Sequence, residues 1–270
     1  MFSALYAYAS AILLGIVEGL TEFLPISSTG HLILASKLLG LQGPENELFE
    51  IVIQFGAILA VCWVYRERLF NALVGLGSDS HAQRFVANIV LAFLPAAVIG
   101  LAAHSLIEKM LSSAWVVAVA FIVGGFLILL IERVRPRPRV HDIDTMSLRT
   151  ALAIGCCQVL AMIPGVSRAG ATIMGALMLR VDRPAATEFS FFLAIPTMAG
   201  ASVVQLYKHR DIVSANSAAL IVIGFIVAFI SALFVVRRLV EFVSRNGFGA
   251  FAWYRIVIGT IALVALAFSA

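Results

Sequence analysis

Glu18 and Glu22 stand four residues apart in an otherwise apolar stretch, a spacing that puts both carboxylates on one face of a helix. Ionised carboxylates in such surroundings need a cation, a proton or a partner. Hydrogen bonds at an interface could anchor the pair, but a metal is the sharper reading. Two carboxylates completed by phosphate oxygens and waters suit Mg²⁺ or Ca²⁺, and the lack of clustered histidine and cysteine argues against zinc. Just beyond, Ser27, Ser28, Thr29 and Gly30 form a small polar turn leading into a short helix that starts near His31. Backbone N–H groups at such a turn bind anions and the hydroxyls add donors, so phosphate is the natural guest. The same tetrad also reads as an ordinary helix cap. A lone histidine is commonly a packing residue, yet His31 follows the hydroxyl and carboxylate pairs at the place of an acid/base group for phosphoryl transfer.

Arg168, flanked by Ser167 and followed by Thr172, is the most informative single residue. A guanidinium is never neutral and its planar fork suits phosphate, so in an apolar segment it meets either the carboxylates or a ligand phosphate. A purely structural salt bridge to Glu18 or Glu22 is the plain alternative. The arginine-proline run over 133–139 reads instead as a solvated loop near anionic lipid, with no chemistry of its own.

The elements that position these residues follow from composition. Of 270 residues, 61% are hydrophobic and 13% charged, and the mean hydropathy is +1.02. A soluble domain, a disordered chain, a coiled coil and a disulfide scaffold all need more charge or more cysteine than this. The chain therefore reads as a single all-α polytopic membrane domain. Its net charge of +4 records orientation in the membrane and not a nucleic-acid partner. Full spans are predicted at about 48–65, 85–104, 114–131, 187–207, 217–236 and 250–269. Two further apolar regions, about 5–41 and 150–180, are broken near the middle by Pro25–Gly30 and Pro164–Gly170. Cys62, Cys156 and Cys157 fit neither a disulfide framework nor a metal spacing and read as buried thiols. Met1 to Ser10 lacks the positive region of a cleavable signal peptide, so its apolar stretch is expected to stay in the mature protein.

A shift of 140 residues lays one broken region on the other without a gap: Gly15 on Gly155, Glu18 on Gln158, Ser27 on Ser167, Gly30 on Gly170 and Phe49 on Phe189. The expected repeats cover about 1–132 and 150–270, joined by a basic loop over 133–149. If both broken regions are re-entrant helical hairpins, three spans separate them, and the repeat is inverted with the two tips meeting near the midplane. Connections near 66–84, 132–149, 180–186 and 237–249 carry 13 of the 19 basic residues. Lys37, Lys109, Lys208 and Arg210 lie on the other side, with Arg168 in a break and Arg255 in the last span. The positive-inside rule makes the first side cytoplasmic, so both termini and the mouth of the first hairpin are expected on the outer, periplasmic face.

The runs Gly15-Ile16-Val17-Glu18-Gly19-Leu20-Thr21-Glu22-Phe23-Leu24-Pro25-Ile26-Ser27-Ser28-Thr29-Gly30-His31 and Pro164-Gly165-Val166-Ser167-Arg168-Ala169-Gly170-Ala171-Thr172 resemble the two signatures of the undecaprenyl-diphosphatases, also called bacitracin-resistance proteins. The likeness extends over the whole chain, including Glu188-Phe189-Ser190-Phe191. It implies an enzyme of the bacterial plasma membrane that hydrolyses undecaprenyl diphosphate to the monophosphate, a divalent-cation dependence, a site open to the outer face, and a homodimer. It matches Glu18 and Glu22 to the acidic pair, Ser27 and Ser28 to the serines, His31 to the histidine, and Ser167, Arg168 and Thr172 to the second-motif contacts. Ala169 stands where a serine is expected, so no hydroxyl contact is carried over there. Ser28 is the expected nucleophile, with Glu22 or His31 moving the proton, and direct attack by water is compatible. Thr29 is expected among the phosphate contacts. A secondary transporter or lipid flippase is the competing class, because inverted repeats with broken helices also build ion and substrate sites.

Overall fold

The computed structural model describes residues 2–41, 43–103, 113–208 and 215–269. Lys109 and Arg210 of the charge pattern lie outside the described residues. Within the described residues the fold is built from helices: α1 (Phe2–Thr21), α2 (Ser28–Leu38), α3 (Pro44–Val64), α4 (Arg66–Gly75), α5 (Ser80–Ala102), α6 (Ala114–Val134), α7 (Leu148–Gln158), α8 (Arg168–Met178), α9 (Arg183–Lys208), α10 (Ala215–Asn246) and α11 (Gly249–Ser269). Six of them, α3, α5, α6, α9, α10 and α11, are long and apolar enough to cross a membrane. They carry Trp63, Phe126 and Phe234 outward, a liability in water but the natural contact with lipid.

Several boundaries differ from the sequence reading by a few residues, the expected 66–84 connection holds the helix α4, and two further differences bear on the charge pattern and the first break. α10 does not stop at the arginine pair but runs on to Asn246, because Leu239 and Val243 continue its buried face against the core. Arg237 and Arg238 thus belong to a helix and not to a connection. α2 begins at Ser28, three residues before His31, because the Ser27 hydroxyl caps it by accepting from the Gly30 N–H. The cysteine expectation also changes: Cys156 is exposed, and Cys62 and Cys157 are half-buried. An outward face of an apolar bundle suits a thiol as well as the interior does, since the surroundings on either side are apolar.

The four basic connections gather at one end of the bundle. Arg68 pairs with Asp144 at 2.6 Å, the Arg139 and Val140 N–H groups donate to the Arg180 carbonyl, and Glu132 accepts from Arg183 and from the Phe248 N–H. α3 runs from the opposite end, where the Tyr6 hydroxyl donates to the Leu39 carbonyl at 2.7 Å, back to this basic end at Arg66. The start of α1 and the end of α2 are therefore neighbours at one end, while the α8 terminus meets the basic loop at the other.

The two broken helices share their backbone at the 140-residue offset. α2 and α8 each have 11 residues. Their caps Ser27 and Ser167 have φ of 71° and 74°, and each accepts from the N–H three residues on. Past the helix ends, Gly40 and Arg180 have φ of 63° and 66°, and the Leu41→Ser36 bond is matched by Val181→Ala176. Each hairpin also packs on a long helix of the other half: α1 on α10, and α7 on α5. The close approach is visible at Gly19, where a Cβ would stand 2.4 Å from the Ala228 carbonyl oxygen, and at Gly155, where it would stand 2.3 Å from that of Ala92. α6 and α11 form a further pair beside the two breaks.

Candidate active site

α1 delivers the acidic pair to the first break. Its last turn closes with the Glu22 N–H on the Glu18 carbonyl at 2.9 Å, which keeps both carboxylates on one face even though the regular helix ends at Thr21. Glu18 is fully buried and Glu22 nearly so, together with Ser27, Ser28, Ser167, Thr172 and Ser190. α8 delivers Arg168 from its first position.

These residues converge. One Arg168 Nη2–H donates to Glu22 Oε1 at 2.8 Å, and the Ser28 hydroxyl donates to the other Glu22 oxygen. A carboxylate from the first break thus joins a hydroxyl of its own hairpin to a guanidinium of the second. Arg168 Nη1 donates to the Ser190 carbonyl at 2.9 Å and hydroxyl at 3.3 Å, and the guanidinium lies over the Phe23 ring at 5.6 Å. Thr172 donates to Ser190 Oγ at 2.8 Å, so it supports the arginine from behind. The Ser167 hydroxyl caps α8 and reaches the Leu24 carbonyl of the first break at 3.5 Å.

Capacity is left over. Both oxygens of Glu18 and the Nε–H of Arg168 are buried with no hydrogen-bond partner. Unpaired buried polar groups are rare and destabilising, so their coincidence in one place calls for a functional reason. Among the described residues no group of three or more His, Cys, Asp or Glu gathers to hold a metal. Two carboxylates and flanking hydroxyls form a hard, oxygen-only donor set, which fits Mg²⁺ or Ca²⁺ where substrate phosphate and water complete the shell.

His31 is placed differently. Its Nδ1–H donates to the Ser27 carbonyl at 2.7 Å, and in the neutral form Nε2 accepts from the Tyr254 hydroxyl at 2.8 Å, ring stacked on ring. Both nitrogens are engaged away from the carboxylates. Thr29 sits half-buried on the first turn of α2.

This geometry stands within a chain whose residues 11–261 match the family model described as bacitracin resistance protein BacA. The chain belongs to that family. It is 56% identical to undecaprenyl-diphosphatase 2 of Paramagnetospirillum magneticum, over 94% of this chain and 97% of the relative. Undecaprenyl-diphosphatase of Aromatoleum aromaticum is 52% identical over 95% and 93% of the two chains. Undecaprenyl-diphosphatase 1 of Agrobacterium fabrum is 52% identical over 95% and 96%. Membership of this membrane family, with six apolar helices of spanning length, makes the chain a multi-pass membrane protein.

Three residues of this BacA-family site escaped the sequence reading. Ser190, inside the quoted Glu188–Phe191 run, is fully buried and holds both Arg168 and Thr172. Tyr254 fixes His31. Arg255, noted only as lying in the last span, is buried with all of its N–H groups donated to carbonyls. An ionisable residue in an apolar span is itself a signal, and it was available for Arg255. Nothing local in the sequence marks Ser190 or Tyr254.

Proposed function

We propose that the protein hydrolyses undecaprenyl diphosphate to undecaprenyl phosphate and inorganic phosphate, returning the lipid carrier to cell-wall synthesis. The observation that carries this reading is the Ser28–Glu22–Arg168 chain, which joins the two breaks beside the unpaired Glu18 oxygens and Arg168 Nε–H. Such a constellation presents a hydroxyl on a base, a phosphate-matched cation, and spare acidic oxygen. Relatives at more than half identity named as undecaprenyl-diphosphatases support the substrate.

In this mechanism Arg168 turns its Nη–H and free Nε–H groups onto the terminal phosphoryl oxygens, and the strained Ser27 and Ser167 turns add donors as charge spreads over them. Ser28 Oγ attacks the terminal phosphorus, the bond to the bridging oxygen breaks, and the lipid monophosphate leaves with that oxygen. Glu22, already hydrogen-bonded to Ser28, takes the hydroxyl proton. Glu22 passes that proton to the departing monophosphate and, ionised again, takes one from the water that attacks the phosphoserine. The phosphorus–Oγ bond breaks, Ser28 Oγ regains the proton from Glu22, and inorganic phosphate leaves. Glu18 and Glu22 would hold Mg²⁺ or Ca²⁺, which when bound neutralises diphosphate charge. The reading includes a site opening at the Tyr6–Leu39 end, that end on the periplasmic side of the plasma membrane, and a homodimer as the family resemblance implies. The gathering of basic connections at the opposite end supports the orientation.

The test is release of inorganic phosphate from a prenyl diphosphate by the purified protein in detergent. Arg168→Ala is expected to lower turnover by on the order of 10³-fold while the protein stays folded, by analogy with losing a charge-stabilising arginine in phosphoryl transfer. No phosphate release by the wild type, as a transporter would give, or full activity in Arg168→Ala overturns the reading.

A further inference from the structure

Breaking a helix inside a bilayer strands backbone carbonyls that have no water to satisfy them. At both breaks these carbonyls turn toward one side chain on a distant helix. Arg255 of α11 is 1% exposed. Its Nη1 donates to the Pro25 and Val166 carbonyls at 3.0 Å each. Its Nη2 donates to Gly165 and Ala120 at 2.8 Å each, and its Nε donates to Phe121 at 3.3 Å. All five donors of the fork are used. Pro25 and Gly165 occupy corresponding positions of the two broken regions, so one guanidinium grips both halves of the repeat at once.

The grip lies immediately before the strained residues. Pro25 precedes Ser27 by two positions and Val166 precedes Ser167 by one, and both serines carry a positive φ that L-residues keep only when the surroundings enforce it. Those serines cap the helices that present Ser28 and Arg168. Gly124 on α6 makes room for the grip, since a Cβ there would stand 2.1 Å from Arg255 Nη2. No residue of the Ser28–Glu22–Arg168 chain is among the hydrogen-bond acceptors of Arg255.

We propose that Arg255 is a positioning residue: it fixes the distance and orientation of the two breaks, and through them sets Arg168 and Glu22 against Ser28. This rests on the functional reading above. Lysine in its place keeps the charge but has three donors on a single nitrogen and cannot span five carbonyls.

The experiment measures phosphate release and inter-hairpin distance in the same preparations. Arg255→Lys is expected to lower kcat by about 10²-fold with KM for the prenyl diphosphate within threefold, as for a small misplacement of reacting groups. Spin labels at Leu38 and Met178, the exposed and corresponding ends of α2 and α8, placed after replacing the three native cysteines, are expected to give a narrow distance distribution that broadens in the variant. Gly124→Ala, which leaves Arg255 in the chain but crowds Nη2, is expected to do the same in weaker form and carries the test if Arg255→Lys does not fold. A kcat within twofold of wild type, or an unchanged distance distribution, in whichever variant is folded overturns the proposal. A wild type that releases no phosphate overturns the functional reading instead.

Discussion

Glu18 is the acid of the candidate site with the most unused hydrogen-bonding capacity. It is fully buried, four residues from a carboxylate that already accepts one hydrogen bond from Arg168 and one from Ser28, and neither of its own oxygens has a partner. An unpaired buried acid destabilises the fold, and in the proposed mechanism a divalent cation meets it in the working complex. Activity and stability should therefore move in opposite directions. Glu18→Gln is expected to raise the thermal midpoint in detergent while increasing the Mg²⁺ concentration needed for half-maximal phosphate release by tenfold or more. A lower midpoint with an unchanged Mg²⁺ requirement would place Glu18 in the scaffold. The acidic pair and Arg168 were legible in the sequence because ionisable groups in apolar runs have few explanations, and Ser27 and Ser28 because a polar turn interrupts the apolar stretch there. The direction of His31 was not, since whether an imidazole faces a carboxylate or a tyrosine 223 positions away depends on helix packing that no local pattern encodes.

The broken helices show what the sequence reveals of an element and what it conceals. Proline and glycine located both breaks, and the 140-residue offset aligned them, because punctuation and spacing are local properties. The start of α2 was misplaced by three residues because a serine cap with φ of 71° is unusual for a residue with a side chain. That strain yields a paired expectation. Ser167→Gly removes a backbone penalty of about 1–3 kcal/mol and loses only a few tenths from the cap, so it should be more stable than wild type by about 1 kcal/mol. For a chain of this size that is a rise in melting temperature of roughly 2–4 °C. Ser167→Ala keeps the strain and loses the cap, so its midpoint should fall. Both should lose activity, since the hydroxyl is gone in each. A Ser167→Gly protein less stable than Ser167→Ala would remove strain from the account.

At the scale of the whole molecule, two broken regions of like backbone carry unlike chemistry. The two halves share caps, helix lengths and turn geometry, yet the acids of the first face Gln158 and Met162 at the matching positions of the second, and Arg168 matches Ser28. In the proposed mechanism one half supplies base and hydroxyl and the other the guanidinium, so neither makes a site alone. Because each hairpin packs on a long helix of the opposite half, the halves cannot separate without exposing both, so a single composite site is held by the whole bundle. The arrangement has a topological consequence. α3 carries the chain from the Tyr6–Leu39 end to the end where the basic connections meet, so the mouths of the two hairpins lie at opposite ends of the bundle. In the orientation proposed above they open to opposite sides of the membrane, with the basic end cytoplasmic. With the native cysteines replaced, a single cysteine at Lys37, beside the first mouth, should react with a membrane-impermeant maleimide in intact cells. One at Arg137, in the basic loop that meets the second mouth, should react only after permeabilisation. Labelling of both from the same side would mean that one broken region crosses the bilayer, which would leave the gathered arginines divided between its two faces.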